Sequence, residues 1–487
     1  MRYPIRFFMC FFCLLFLSGA LLSAENREII ELSLDNALDY ARVHSPNLEM
    51  VRQNFLNSRW NYEAFMKDYF PEISLSGNIP GLNRSIRSVQ QPDGTLLYRA
   101  QSQTYGTAAL EVRQKVRWTG GTLSMSSGLE RFDNLNTSNF YWRASPFVAS
   151  YRQPLFTPNA MKWEHKLETI QYELARQAFE EDVNSLNVQI VNAFFNTYID
   201  QINLEIARIN YTVNDTVYNL SRRRYSVGKI AENDLLQSEL ELMKAETNLE
   251  SAQFELERSM NELKMLLGMP EEMEFSITAP MKIPDVEIDR EEFLSKALAR
   301  SSEILRDSLS VLSAEHTLND LKAKRRISAD LTMSFGYNQT GENIQDLYEK
   351  PFDQEQFTMG LDIPLFNWGK NRAEIKAGES ALKSAQIREN LTRKQIREDY
   401  SNVLKQFDQL KRQVHIAAQS DTVAQRRFEV TKNRYLIGKV DITHLFMAQQ
   451  EQDLARRTYI QTLKNFWISY YQILGILNGE MANNPEP

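Results

Sequence analysis

The sequence predicts a mainly α-helical fold with a β-barrel part, built as two tandem repeats of short helix, strands and long antiparallel helical hairpin. Three observations carry that expectation. Two very long stretches, Asn159 to Met269 and Asn371 to Leu474, contain no proline and only two glycines each. The segment Arg224-Tyr225-Ser226-Val227-Gly228-Lys229 returns 210 positions later as Arg434-Tyr435-Leu436-Ile437-Gly438-Lys439. Ahead of each long stretch, apolar and polar residues alternate with the period of a strand that has two unlike faces.

Taken in chain order, Arg2 and Arg6 precede an apolar run from Phe7 to Leu22 and small residues ending at Ser23-Ala24, the pattern of a signal peptide over 1–24 with cleavage near Ala20 or Ala24. The run falls short of the ~20 apolar residues that a spanning helix needs, and no comparable run follows. A membrane location then requires a closed β-barrel, which alone satisfies strand backbone groups in lipid. The two cysteines, Cys10 and Cys13, lie in this segment, and neither follows a small-residue lipobox. Without the segment, 54 of the 56 Lys and Arg residues face 63 Asp and Glu, a mildly acidic balance that argues against nucleic acid as partner.

The first repeat is expected over 25–268. Ser33 caps a short helix through Ala37-Leu38, and Ser45-Pro46 starts another. Strands follow over about 71–153, where Ile73, Leu75 and Gly77 alternate with Ser74 and Ser76, and a last strand runs from Phe140 into Pro154. Between them, 104–132 reads as an extra hairpin: Leu110, Val112 and Val116 alternate with Glu111, Arg113, Lys115 and Arg117 before Gly120-Gly121 turns the chain. Its charged face favours an exposed or lumenal hairpin over lipid-crossing strands. A soluble sandwich is the alternative for the whole β portion, against which stands the lack of sequence for a second sheet.

The helical hairpin of this repeat spans about 154–268. At ~1.5 Å per residue its first arm reaches roughly 100 Å, beyond any ordinary globular core. Gly228 supplies the positive φ needed to reverse the chain. On the returning arm Leu235, Ser238, Leu242, Ala245, Leu249 and Ala252 begin a heptad seam that runs to Leu266, and Val183, Leu186, Ile190 and Phe194 begin a stripe that runs to Leu220 on the first arm. A linker is expected at 269–285, which holds Pro270, Pro280 and Pro284. The second repeat, 286–480, repeats the order with a short helix from Glu291 to Ile304, strands at about 328–366 and a hairpin at about 370–475 turning at Gly438, before a disordered tail at 481–487.

Catalysis finds little support. His44, His165, His316, His415 and His444 show no metal-ligand spacing, and Glu315-His316 has no partner histidine. No glycine loop cradles phosphate, and no cofactor is implied. The rival to a channel is a periplasmic adaptor or coiled-coil scaffold, which carries one hairpin where this chain has two.

Pro154-Leu155-Phe156, Tyr225-x-x-Gly228, Pro364-Leu365-Phe366 and Tyr435-x-x-Gly438, at their duplicate spacing, resemble the TolC-like outer-membrane efflux protein family over nearly all of the chain. The resemblance implies a trimeric α/β-barrel channel: a homotrimer with four strands per protomer in a twelve-stranded barrel set in outer-membrane lipid, and a periplasmic helical tunnel. It implies an exit duct for a tripartite efflux or type I secretion system, whose partners are a periplasmic adaptor (membrane fusion protein) and an inner-membrane pump. The hairpin turns at Tyr225, Gly228, Tyr435 and Gly438 would form a periplasmic gate, with Asp234 and Tyr435 holding it shut. The family's basic gate residue falls on Val440, and Lys439 beside it is the substitute. The family's acidic selectivity ring falls on His444 and Met447. Three His444 side chains facing one another would make the gate sensitive to pH; the other reading is a solvated tip residue with no role.

Overall fold

The computed structural model describes residues 30–137 and 139–478. The predicted signal peptide and tail lie outside the described residues. The described chain divides into two compact units: one comprises residues up to Pro46 with Gln189–Pro284 and Gln413–Trp467, the other Asn47–Val188, Asp285–Arg412 and the chain from Ile468 on.

The second unit holds one six-stranded antiparallel sheet. Its strands are β2 (Glu72–Gln90), β3 (Leu96–Val116), β4 (Gly121–Asn134), β5 (Asn139–Leu155), β7 (Ser328–Gly341) and β8 (Phe352–Asp362), hydrogen-bonded in that order. The 104–132 segment, expected as a hairpin apart from the membrane strands, is instead the middle of this sheet, where β3 pairs with both β2 and β4. The sheet thus has six strands where the resemblance implied four. The charged face that spoke against lipid is one side of a two-sided strand. Glu111, Arg113 and Lys115 share that side, while Leu110 and Val112 stand on the other in register with Leu75 and Ile73 of β2.

The first unit contains a pairing that the sequence reading missed. β1 (Ile30–Ser33) runs parallel to β6 (Phe275–Thr278), so the linker contributes a strand between its prolines. Phe275 and Ile277 are buried, and Gln201 of the first long helix accepts from the Ile277 N–H at 3.0 Å while donating to its carbonyl at 3.1 Å. A short strand buried on one side has too few residues to show a period.

The long helices repeat their boundaries. α3 (Ala160–Ser226) and α8 (Lys370–Leu436) have 67 residues each, while the returning arms α4 (Glu232–Leu267) and α9 (Ile442–Asn478) have 36 and 37. Every member of the α4 seam from Leu235 to Leu266 is buried or half-buried. In the α3 stripe Ile190, Phe194, Val213 and Val217 are buried, and Ile209 alone is exposed.

Each returning arm stops short and is met by a separate helix. Ser33 caps α1 (Leu34–His44) by accepting the Asn36 N–H, and α2 (Pro46–Lys67) begins directly after Ser45. There α4 ends on Gly268, φ 76°, where a Cβ would lie 2.2 Å from the His44 carbonyl oxygen, and Ser45 Oγ donates to the Leu266 carbonyl at 2.8 Å. In the second repeat α5 (Arg290–Ala299) leads to α6 (Ser302–Lys324), and Arg300 donates to the Ile476 carbonyl of α9 at 3.2 Å. Along α2, Phe55 packs on Phe179 and Val183 of α3. Among the described residues no helix is long and apolar enough to cross a membrane.

Candidate functional site

The two hairpin tips share one backbone design. After α3, Gly228 takes φ 68° and its N–H donates to the Tyr225 carbonyl at 2.8 Å, while the Lys229 N–H reaches the Arg224 carbonyl at 2.8 Å. After α8, Gly438 takes φ 73° and the Tyr435 and Arg434 carbonyls are satisfied at 2.9 Å each by the same two positions. This pair of bonds closes a helix whose last carbonyls would otherwise be orphaned, and it demands a left-handed residue where glycine stands.

Around that frame the side chains diverge. Tyr435 is only 5% exposed, in a cluster with Val213, Val217, Phe428, Ile442 and Leu445. Its hydroxyl lies 3.3 Å from the buried Ser221 Oγ. The Arg224 guanidinium sits over its ring at 5.3 Å and donates to the Leu436 carbonyl at 3.1 Å. The second tip is therefore pinned by residues of the first hairpin. Sequence reasoning missed Arg224 and Ser221, although the repeated Arg-Tyr pair was visible. Val440, where the family pattern has a base, packs against the same cluster.

The remaining predicted site residues are less connected. Asp234 stands half-buried in the first turn of α4, where a carboxylate meets the helix N-terminus, and makes no ion pair among the described residues. Lys439 and Met447 are exposed. His444 is exposed with Nδ1 2.7 Å from Asp441 Oδ1, and the same oxygen accepts the His444 N–H at 2.9 Å. That backbone bond, then the imidazole contact, holds the Asp441 carboxyl below the usual carboxylate range.

A cavity of about 450 Å³ opens among α3, α4 and α9, lined by Asp200, Asn210, Asn214, Gln449, Asp453 and Arg457 among others. Asn210 Nδ2 donates to Asp453 Oδ2 at 2.6 Å. Burial nonetheless pushes the Asp453 carboxyl up, as it does that of Asp200. Among the described residues no group of three or more His, Cys, Asp or Glu could hold a metal ion.

An antiparallel sheet with one apolar and one polar face, in a chain that also forms two long helical hairpins, has the alternation that a lipid-facing β-barrel wall requires. Comparison makes this specific. The sequence profile of the outer membrane efflux proteins matches residues 37–269 and 293–479, and the chain belongs to that family. It is an outer-membrane efflux duct with a periplasmic helical extension.

Solved structures share the fold at low identity. A membrane protein from Pseudomonas aeruginosa matches at a TM-score of 0.65 and 17% identity, over 92% of this chain and 91% of its own. The CmeC outer membrane channel of Campylobacter jejuni matches at 0.66 and 14%, over 93% and 87%. The outer membrane protein VceC of Vibrio cholerae matches at 0.64 and 16%, over 91% and 95%. No curated protein sequence matches the chain. Members of this family are channels, not enzymes, and form trimers that work with adaptor and inner-membrane pump partners.

Proposed function

We propose that three copies of this chain assemble into the passive exit duct of a tripartite efflux system, docking a periplasmic adaptor and an inner-membrane pump and carrying no catalytic activity. The carrying observation is the pair of hairpins with matched boundaries, 67 residues in each first arm, rooted in a single sheet. An adaptor scaffold, with one hairpin, is not favoured by the family match. Exposed aromatic residues where strands give way to helices, Phe156, Phe366 and Trp368, with Trp118 in the β3–β4 turn, suit the band where membrane meets water.

The same reading makes the tips the gate and treats 25–268 and 286–480 as copies of an ancestral unit. Tyr435 with Arg224 and Ser221 is the latch within a protomer. Asp234, Lys439, His444 and Met447 are the residues that tips present to one another and to partners. Electron microscopy of the protein in mild detergent tests the assembly: a threefold hollow cylinder with a detergent belt at one end is expected. Solid rods without a belt would sink the duct and restore the adaptor. For the latch, Tyr435→Ala is expected to raise single-channel conductance in planar bilayers, and unchanged conductance would remove it from the gate.

A further inference from the structure

The added hairpin changes what the sheet can close into. Register runs unbroken across its lower part. A polar row passes from Glu72 to Arg113, Ser124, Ser150, Ser334 and Gln356, one residue on each strand. One residue along, the opposite face carries Ile73, Val112, Met125, Ala149 and Phe335 on the first five strands and meets Glu355 on β8. The next row on that face takes in Gln114 of β3 and then Leu123, Tyr151, Met333 and Phe357. β3 and β4 therefore present their apolar side with their neighbours' apolar side and their charges with their neighbours' polar side. They are interior strands with ladders on both flanks, so neither can leave the sheet without exposing backbone groups of β2 and β5.

Among the described residues the two edges, β2 and β8, each have one partner only. With six antiparallel strands, β8 runs opposite to β2, so β8 of one copy and β2 of the next meet antiparallel, as a closed barrel requires. Both edges carry exposed apolar side chains on the lipid-type face: Ile73 and Leu75 on β2, Phe357 and Met359 on β8. An open edge is untenable in hydrocarbon.

We propose that the trimer closes an eighteen-stranded barrel, with β3 and β4 crossing the outer membrane and Glu111, Arg113 and Lys115 lining its lumen. This rests on the trimeric reading above. Because barrel diameter grows roughly linearly with strand number, the mouth is about half as wide again as a twelve-stranded one. Arg113 donates to Glu111 at 3.0 Å along the inner face of the added strand, so the wider wall is a polar, charge-paired surface.

Two measurements test it on the full chain. A structure of the assembly in lipid nanodiscs is expected to count eighteen strands. A trimer with twelve strands, the added hairpin lying outside the wall, overturns this inference and leaves the duct intact; an assembly that is not trimeric overturns both. Independently, single cysteines replace adjacent residues, Glu111→Cys and Val112→Cys, in a chain whose other cysteines are Cys10 and Cys13. In intact outer membranes, a water-soluble maleimide is expected to label position 111 at least tenfold faster than 112, and a bilayer-soluble one the reverse. Equal labelling of both positions by the water-soluble reagent would place the hairpin in solvent and defeat the proposal.

Discussion

The tips at Gly228 and Gly438 are built alike in backbone and held unlike in side chains. Both glycines sit near φ 70°, with values of 68° and 73°, and both turns close with the same two carbonyl contacts. Yet Tyr225 is 41% exposed where its counterpart Tyr435 is 5% exposed. Asp441 accepts the His444 N–H at the start of α9, whereas Ala231 in the same place gives α4 no side-chain cap. The turn chemistry follows from glycine and hydrogen-bond closure, which each copy supplies for itself. Packing follows from what the other hairpin presents, and only the second tip receives Val213, Ser221 and Arg224.

That contrast is sharpest under truncation of the tyrosines. Tyr435→Ala removes a buried ring and is expected to cost the second tip about 3 kcal/mol, while Tyr225→Ala costs less than about 0.5 kcal/mol. Amide exchange across 428–446 in one variant and 218–236 in the other measures this. Equal protection losses would show that exposure does not set the difference. The glycines offer the opposite control: an added Cβ meets nothing within 4 Å at either, so Gly228→Ala and Gly438→Ala each cost only left-handed backbone strain, about 1 kcal/mol. A clear inequality between them would reveal that the frames are not equivalent.

Two carboxylates separate by pH in opposite senses. The Asp453 carboxyl titrates above its ordinary value because it is buried, so stability falls as the pH rises from the unfolded value to the folded one, and the full penalty remains above that. Asp453→Asn is therefore expected to raise Tm by a few degrees at pH 7 and to make no difference below pH of about 3. The Asp441 carboxyl titrates below its ordinary value; its cap is fully present above the unfolded value near pH ~3.9 and fades as pH falls through the folded one. The smallest effect, destabilisation by Asp441→Ala, should thus be seen at neutral pH and vanish in strong acid. Persistence of that loss in acid would assign it to something other than the cap.

The long helices were legible because their arms are uninterrupted and their apolar positions recur often enough to define a face. Gly228 and Gly438 were legible because only a turn needs them there. The place of β3 and β4 was not, since period-2 alternation states that a strand has two faces and not which strands flank it. The charges on 111–115 occupy one side only of a two-faced strand, and the apolar side is Leu110 and Val112. The strand Phe275–Thr278 was hidden by its brevity. Among the site residues, Tyr435 was found from its motif, but its partners Arg224 and Ser221 lie more than two hundred positions away and no periodicity links them.

The unequal arms have a mechanical meaning. α3 and α8 are unbroken rods, whereas each returning path is spliced: α4 abuts α1 and α2 through Ser45 and Gly268, and α9 abuts α6 through Arg300. Torque along a rod must deform continuous helix, but at a splice it meets non-covalent contacts: the Ser45 bond to the Leu266 carbonyl in one hairpin and the Arg300 bonds to the Ile476 and Leu477 carbonyls in the other. Each hairpin therefore pairs a stiff shaft with a slip joint, and a turn of helix added on one side of the joint would shift the seam without lengthening the shaft.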